Sequence, residues 1–126
     1  MTKKGKILVM DDDNSFCEVL KAILESLGHQ GIFVHEGERM VSEYKKAKMT
    51  KEPFDLVIAD FLIKKGLSGE EGIKLLLKYD PAAKIILSSG YSNLPIIRNY
   101  KEFGITDVLL KPYNMKVLDA MIQKWI

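Results

Sequence analysis

Apolar residues fall along this chain in two rhythms that alternate five times. The first rhythm is a short continuous run: Ile7-Leu8-Val9-Met10, Gly31-Ile32-Phe33-Val34, Phe54-Asp55-Leu56-Val57-Ile58-Ala59, Ile85-Ile86-Leu87, and residues 107–110. Such runs, bounded by Gly, Pro, Asp and Ser, predict buried strands. The second rhythm is a spacing of three and four, which predicts amphipathic helices. The first helix turns Phe16, Val19, Leu20, Ile23, Leu24 and Leu27 inward, with Asn14 or Ser15 as its cap and Gly28 as its stop. The second spans residues 37–48, with Met40, Val41, Tyr44 and Ala47 inward. The third spans 70–79, with Ile73, Leu76 and Leu77 on one face, and Asp80-Pro81 breaks it. The fourth spans 94–103, opened by Pro95 and closed by Gly104. Asn114 caps a fifth with Val117, Leu118, Met121, Ile122 and Trp125 as its apolar face.

Continuous apolar strands alternating with amphipathic helices imply a parallel sheet covered on both faces. The expected architecture is an α/β, flavodoxin-like doubly wound (βα)5 fold with five strands in the order 2-1-3-4-5. At 126 residues the chain is expected to be a single domain, residues 1–126, with no output module. A net charge of +2 is too small to argue for nucleic acid or an anionic membrane, so neither is expected as a partner. The one cysteine, Cys17, cannot form an internal disulfide, which fits a reducing cytoplasm. The start, MTKKGKILVMDDD, is too briefly apolar for a signal peptide or a membrane span.

In an open α/β sheet the working crevice lies outside the carboxyl ends of the strands. Those ends deliver Asp11, Asp12 and Asp13 from the first strand, Asp60 from the third, Ser89 from the fourth and Lys111 from the fifth. Clustered carboxylates repel, at about 4 kcal/mol per pair for a separation of about 4 Å and an effective dielectric of about 20. A hard divalent ion offsets this, and Mg²⁺ suits a site with few carboxylates. Lys111 supplies a compact second charge that can reach a phosphoryl oxygen. Ser89 and the Gly90 amide add donors. Donors and a metal around one carboxylate describe phosphoryl transfer, with the carboxylate itself able to act as nucleophile.

With these residues in place, the whole chain resembles the receiver domain of two-component response regulators. The motifs that carry the resemblance are LVMDDD at 8–13, VIAD at 57–60, ILSSGY at 86–91 and LLKP at 109–112. The resemblance implies that Asp60 is the phosphoacceptor, Ser89 the switch hydroxyl and Lys111 the phosphoryl contact. It implies Mg²⁺ held by Asp12 and Asp60, by the backbone carbonyl of Leu62, and by Asp11 through water. It also implies a cis bond between Lys111 and Pro112, which an X-Pro position tolerates. The implied partner is a histidine kinase or phosphotransfer protein, and the implied protein is a switch, catalysing only its own phosphorylation and dephosphorylation. Its signal would leave through the face made by the fourth helix, fifth strand and fifth helix, which could also form a homodimer.

The chain departs from that pattern in three places. The family's loop after the acceptor has a proline where Lys64-Lys65 stand, and here the loop is about one residue longer than usual before Gly69. The last strand has Val108 where an aromatic is usual, so the ring that normally turns inward with the switch hydroxyl is missing. Leu62 and Tyr91 flank the phosphoryl position, and neither positions water, so a long-lived phosphoryl state is expected.

Plainer readings stand beside these. Asp13 is read as an acid favoured at a helix start, Ser88 as a core or backbone-bonded residue, and His29 and His35 as surface loop residues. The four lysines of 45–51 are read as a solvated face. Lys64 and Lys65 either steer an anionic phosphodonor or are simply exposed. Tyr113 and Trp125 either pack the last helix or join a partner surface. The competing function is a phosphorylation-independent interaction module. A phosphatase with an aspartate nucleophile would need a second Asp where Leu62 stands, and a flavin phosphate would be repelled by three aspartates.

Overall fold

The computed structural model describes residues 3–62, 68–92 and 94–126. The elements run β1 (Lys6–Met10), α1 (Asn14–Ser26), β2 (Gln30–Val34), α2 (Gly37–Lys48), β3 (Leu56–Asp60), α3 (Gly69–Tyr79), β4 (Ile85–Ser89), α4 (Pro95–Asn99), β5 (Asp107–Leu110) and α5 (Met115–Trp125). All strand pairs are parallel, in the order β2-β1-β3-β4-β5. The expected doubly wound fold is therefore the observed one.

Successive residues of a strand point to opposite faces, so each strand feeds two cores. Leu8, Met10, Val57, Ala59, Ile85 and Leu87 pack with Met40 and Tyr44 of α2 and Ile73 and Leu76 of α3. Ile7, Val9, Leu56, Ile58 and Ile86 pack with Leu20 and Leu24 of α1 and Leu118 and Ile122 of α5. Each such fully buried aliphatic side chain contributes roughly 2 kcal/mol. These layers hold β1, β3, β4 and β5 so that their carboxyl ends open on one crevice.

Several local expectations need correction. Periodicity predicts Val19 and Val117 inward, yet they are 61% and 46% exposed. Each directly precedes the leucine at the centre of its helix face, Leu20 or Leu118, and one residue turns a helix by about 100°. Cys17 fills the inward position on α1 instead. The cap of α1 is neither Asn14 nor Ser15 but Asp13, whose Oδ1 accepts from the Phe16 amide at 3.1 Å. The third strand begins at Leu56, not Phe54: Phe54 leaves the sheet to stack on Tyr44, and Asp55 Oδ2 accepts from the Lys6 amide at 2.8 Å. The fourth helix keeps regular geometry only from Pro95 to Asn99.

Two glycine stops hold. Gly28 and Gly104 have φ of +85° and +89°, in the left-handed region that glycine enters without steric cost. After Gly28, His29 N donates to Leu24 O at 2.9 Å, and after Gly104, Ile105 N donates to Tyr100 O at 3.0 Å, which ties each turn back on its helix. The first tie carries His29 inward. It is 4% exposed, not a surface residue, and its Nδ1 accepts from the Gly5 amide at 3.0 Å.

Candidate phosphoacceptor site

The site is assembled by strand register. Ile58 sits opposite Val9 and Ala59 opposite Met10, so Asp60, last in β3, comes level with Asp11, the residue after β1. On the other side Asp60 is paired with Ser88, and Ser89 with Leu110, which puts Lys111 one step beyond the sheet. The Lys111 amide donates to Ser89 O at 2.7 Å and extends the ladder to the site's basic residue. The Lys111–Pro112 bond is cis.

Carboxylate oxygens of Asp11, Asp12 and Asp60 all lie within 4.8 Å of one another. Asp11 is buried, Asp12 exposed and Asp60 between the two. Lys111 Nζ donates to Asp11 Oδ2 at 2.6 Å and to Asp60 Oδ2 at 3.3 Å. Asp60 Oδ1 accepts from the Leu62 amide at 2.9 Å, so the Leu62 peptide lies beside the carboxylate. Asp11 is held by its neighbours too: Oδ1 accepts from the Asp13 amide at 3.0 Å, and its carbonyl accepts from His35 Nδ1 at 2.9 Å. His35 is exposed, as expected, but it braces Asp11.

Burial pushes the Asp60 carboxyl above the usual carboxylate range, against the pull of the Leu62 amide and the Lys111 charge, and the Asp11 charge adds to the rise. Burial also works against the Lys111 charge, but its hydrogen bond to Asp11 and the charge of Asp60 outweigh it and hold the ammonium above its ordinary range. The two rises have different causes: Asp60 is lifted by burial, Lys111 by the two acids it serves. Burial, and then the charges of Asp11 and Asp13, push the Cys17 thiol up to about 11, so the buried thiol stays protonated and unreactive.

The donor set fits a hard divalent cation. Three carboxylates on one crevice offer oxygen ligands only, which suits Mg²⁺, and one lysine leaves net negative charge for it to neutralise.

The remaining expected residues divide. Ser89 is at the crevice, 1% exposed, with its hydroxyl donating to Tyr91 O and accepting from Tyr91 N, both at 3.1 Å. Ser88 points to the other face and meets the Tyr113 hydroxyl at 3.3 Å, a core position as expected. Tyr113 and Trp125 both pack against the α1–α5 core, and Trp125 Nε1 donates to Asp107 Oδ2 at 2.9 Å. Val108 is partly buried against the α2–α3 core. The Lys64-Lys65 segment lies outside the described residues. One neighbour of the site was not foreseen: the Phe16 ring, over which Lys111 Nζ sits at 4.4 Å. Periodicity marked Phe16 only as an inward helix position.

A parallel α/β sheet in the order 2-1-3-4-5, with three acids and one lysine at its carboxyl edge, has the architecture of a receiver domain. The chain belongs to the response regulator receiver domain family, whose model matches residues 7–123. Among curated relatives it is 30% identical over 119 residues to the transcriptional regulatory protein CpxR of Escherichia coli K12, covering 94% of this chain and 48% of that protein. It is 27% identical over 118 residues to the transcriptional regulatory protein ZraR of the same organism, covering 94% of this chain and 25% of that protein. The chain thus spans a quarter to a half of these relatives. In fold it is similar to the chemotaxis protein CheY4 of Vibrio cholerae, with a TM-score of 0.83, 21% identity and coverage of 98% and 100% of the two chains. It is likewise similar to the receiver domain of the sensor histidine kinase PA1611 of Pseudomonas aeruginosa, with a TM-score of 0.80, 22% identity and 98% of each chain covered.

The curated relatives are transcriptional regulators, so they do not support the expectation of no nucleic-acid partner. Among the described residues no helix is long and apolar enough to cross a membrane.

Proposed function

We propose that this chain is a phosphorylation switch in which Asp60 accepts a phosphoryl group from the phosphohistidine of a histidine kinase or phosphotransfer protein. The observation that carries the reading is the convergence of Asp11, Asp12, Asp60 and Lys111 on one crevice. An Asp60 carboxylate oxygen attacks phosphorus, an O–P bond forms, and the N–P bond to the donor imidazole breaks with its electron pair left on the ring nitrogen. Asp11, Asp12, Asp60 and the Leu62 carbonyl would hold Mg²⁺, with Asp11 acting through water. When bound, Mg²⁺ neutralises charge on the transferring phosphoryl oxygens.

Lys111 binds a phosphoryl oxygen once Asp60 has reacted. The Ser89 hydroxyl leaves the Tyr91 backbone and donates to another. That exchange couples the crevice to the end of β4 and so to α4, β5 and α5. Exposed Phe103, Leu110, Met115 and Val117 lie in and around these elements and provide the output face, with homodimerisation through it as one use. A histidine kinase or phosphotransfer partner goes with a cytoplasmic setting for the switch.

The test is intact mass after incubation with Mg²⁺ and phosphoramidate, wild type beside Asp60→Asn. A phosphoryl adduct in the wild type alone is expected. No adduct on the wild type would replace this reading with the phosphorylation-independent module.

A further inference from the structure

Lys111 has a third contact that the phosphoacceptor reading does not use. Its Nζ sits 4.4 Å from the centroid of the Phe16 ring while reaching Asp11 at 2.6 Å and Asp60 at 3.3 Å. The Phe16 ring is met edge-to-face by Tyr113, with centroids 5.7 Å apart and planes at 86°. Tyr113 is anchored in turn by its hydroxyl contact with Ser88, the register partner of Asp60. The contacts close a loop: Asp60's strand neighbour fixes Tyr113, Tyr113 fixes Phe16, and Phe16 faces the lysine that reaches Asp60.

A lysine ammonium is a point charge on a flexible stem, and two acids at unequal distances draw it toward the nearer one. Here that is Asp11, whose side chain is only 2% exposed. A cation held there alone would be poorly placed for a phosphoryl group arriving at Asp60. An aromatic face attracts a cation through its quadrupole without adding a further anionic acceptor, so it steadies the ammonium while its N–H groups stay directed at oxygen. Lys111 is 21% exposed, dry enough for this attraction to count.

We infer that Phe16 is a positioning residue for phosphoryl transfer: its ring holds the Lys111 ammonium where it serves both Asp60 and the incoming phosphoryl oxygens. The inference rests on the phosphoacceptor reading. If Phe16 were only a packing residue of α1, another apolar side chain would do as well, and the two roles separate by experiment.

Initial rates of phosphorylation by phosphoramidate with Mg²⁺ are compared for wild type, Phe16→Leu and Phe16→Tyr, each also in a Lys111→Met background. Phe16→Leu is expected to slow the reaction about three- to tenfold, and Phe16→Tyr to stay within about twofold of wild type. In the Lys111→Met background Phe16→Leu should add nothing to the loss. The Lys111 ε-proton resonances should be shifted upfield by the ring in wild type and Phe16→Tyr, and not in Phe16→Leu. A folded Phe16→Leu with the wild-type rate overturns the inference alone. A wild type that takes no phosphoryl group overturns the phosphoacceptor reading and this inference with it. Should Phe16→Leu fail to fold, Phe16→Met takes its place with the same expected loss.

Discussion

Lys111 Nζ lies 2.6 Å from Asp11 Oδ2, although the two residues are 100 positions apart in the chain. The pairing exists because β1 and β5 end on the same side of one parallel sheet, and it decides how the acidic crevice is tolerated without metal. Removing the lysine leaves Asp11 buried and unpaired beside two further acids. Lys111→Met is expected to lower stability in EDTA by about 2 kcal/mol, and Asp60→Asn to raise it by about 1 kcal/mol through relief of buried like charge. Urea unfolding with EDTA and with Mg²⁺ checks both, and the gap between variants should narrow when the metal is present. A Lys111→Met protein as stable as wild type in EDTA would contradict this account of the crevice.

Gly69, the first residue of α3, touches the acceptor strand's backbone. A Cβ there would overlap the Asp60 carbonyl oxygen and come within 2.8 Å of the Phe61 carbonyl. Because the obstacle is backbone, it cannot swing aside. Gly69→Ala is expected to cost about 3 kcal/mol and to slow phosphorylation by shifting Asp60. Denaturant midpoints and phosphoramidate rates measured on the same samples check it, and an unchanged midpoint would refute it.

Far from the crevice, Asp80 Oδ2 accepts from Lys48 Nζ and from the Tyr44 hydroxyl, both at 2.6 Å, which fastens α2 to the end of α3. The Lys48 and Tyr44 hydrogen bonds hold its carboxyl below the usual carboxylate range despite burial. A carboxylate with a depressed folded pKa stabilises above its unfolded value, about 3.9, and that contribution is lost as pH falls through the folded value. Asp80→Asn should therefore cost about 2 kcal/mol at pH 7. The gap to wild type should stay constant down to about pH 5 and close below about pH 4. A gap that widens on acidification would reverse the sign of the argument.

Leu62 lies beside Asp60, its amide on Asp60 Oδ1, and Tyr91, two residues beyond the end of β4, is 60% exposed. Neither is a good water-positioning group: Leu62 has no polar side-chain atom, and Tyr91 carries its one hydroxyl at the end of a bulky ring. Phosphorylated wild type should persist for minutes or longer in intact-mass time courses, and Leu62→Gln, which can orient water, should shorten that lifetime several-fold. A wild-type half-life of seconds would sink the idea.

Much of this molecule was readable in the chain because its signals are local. An apolar run such as Ile85-Ile86-Leu87 can be satisfied only by burial on both faces, and a glycine such as Gly104 marks where the backbone must turn left-handed. Repeated five times, those signals leave few architectures, and the ends of the strands then name Asp11, Asp60, Ser89 and Lys111. The misread helix positions are those where periodicity is a wide stripe: Val19 and Val117 lie at its edge, and only packing shows which side of the edge is dry.

By itself, then, the sequence determined the order of strands and helices and the residues offered to the crevice, since both depend on hydrophobic period and turn chemistry within a few residues. Only the tertiary structure decided which groups meet. Lys111 is shared between Asp11 and Asp60 and faces Phe16, Tyr113 reaches Ser88, and His29 is drawn inside to accept from Gly5. Those contacts join residues distant in the chain, and their geometry is set by strand register and helix rotation, which no local pattern encodes.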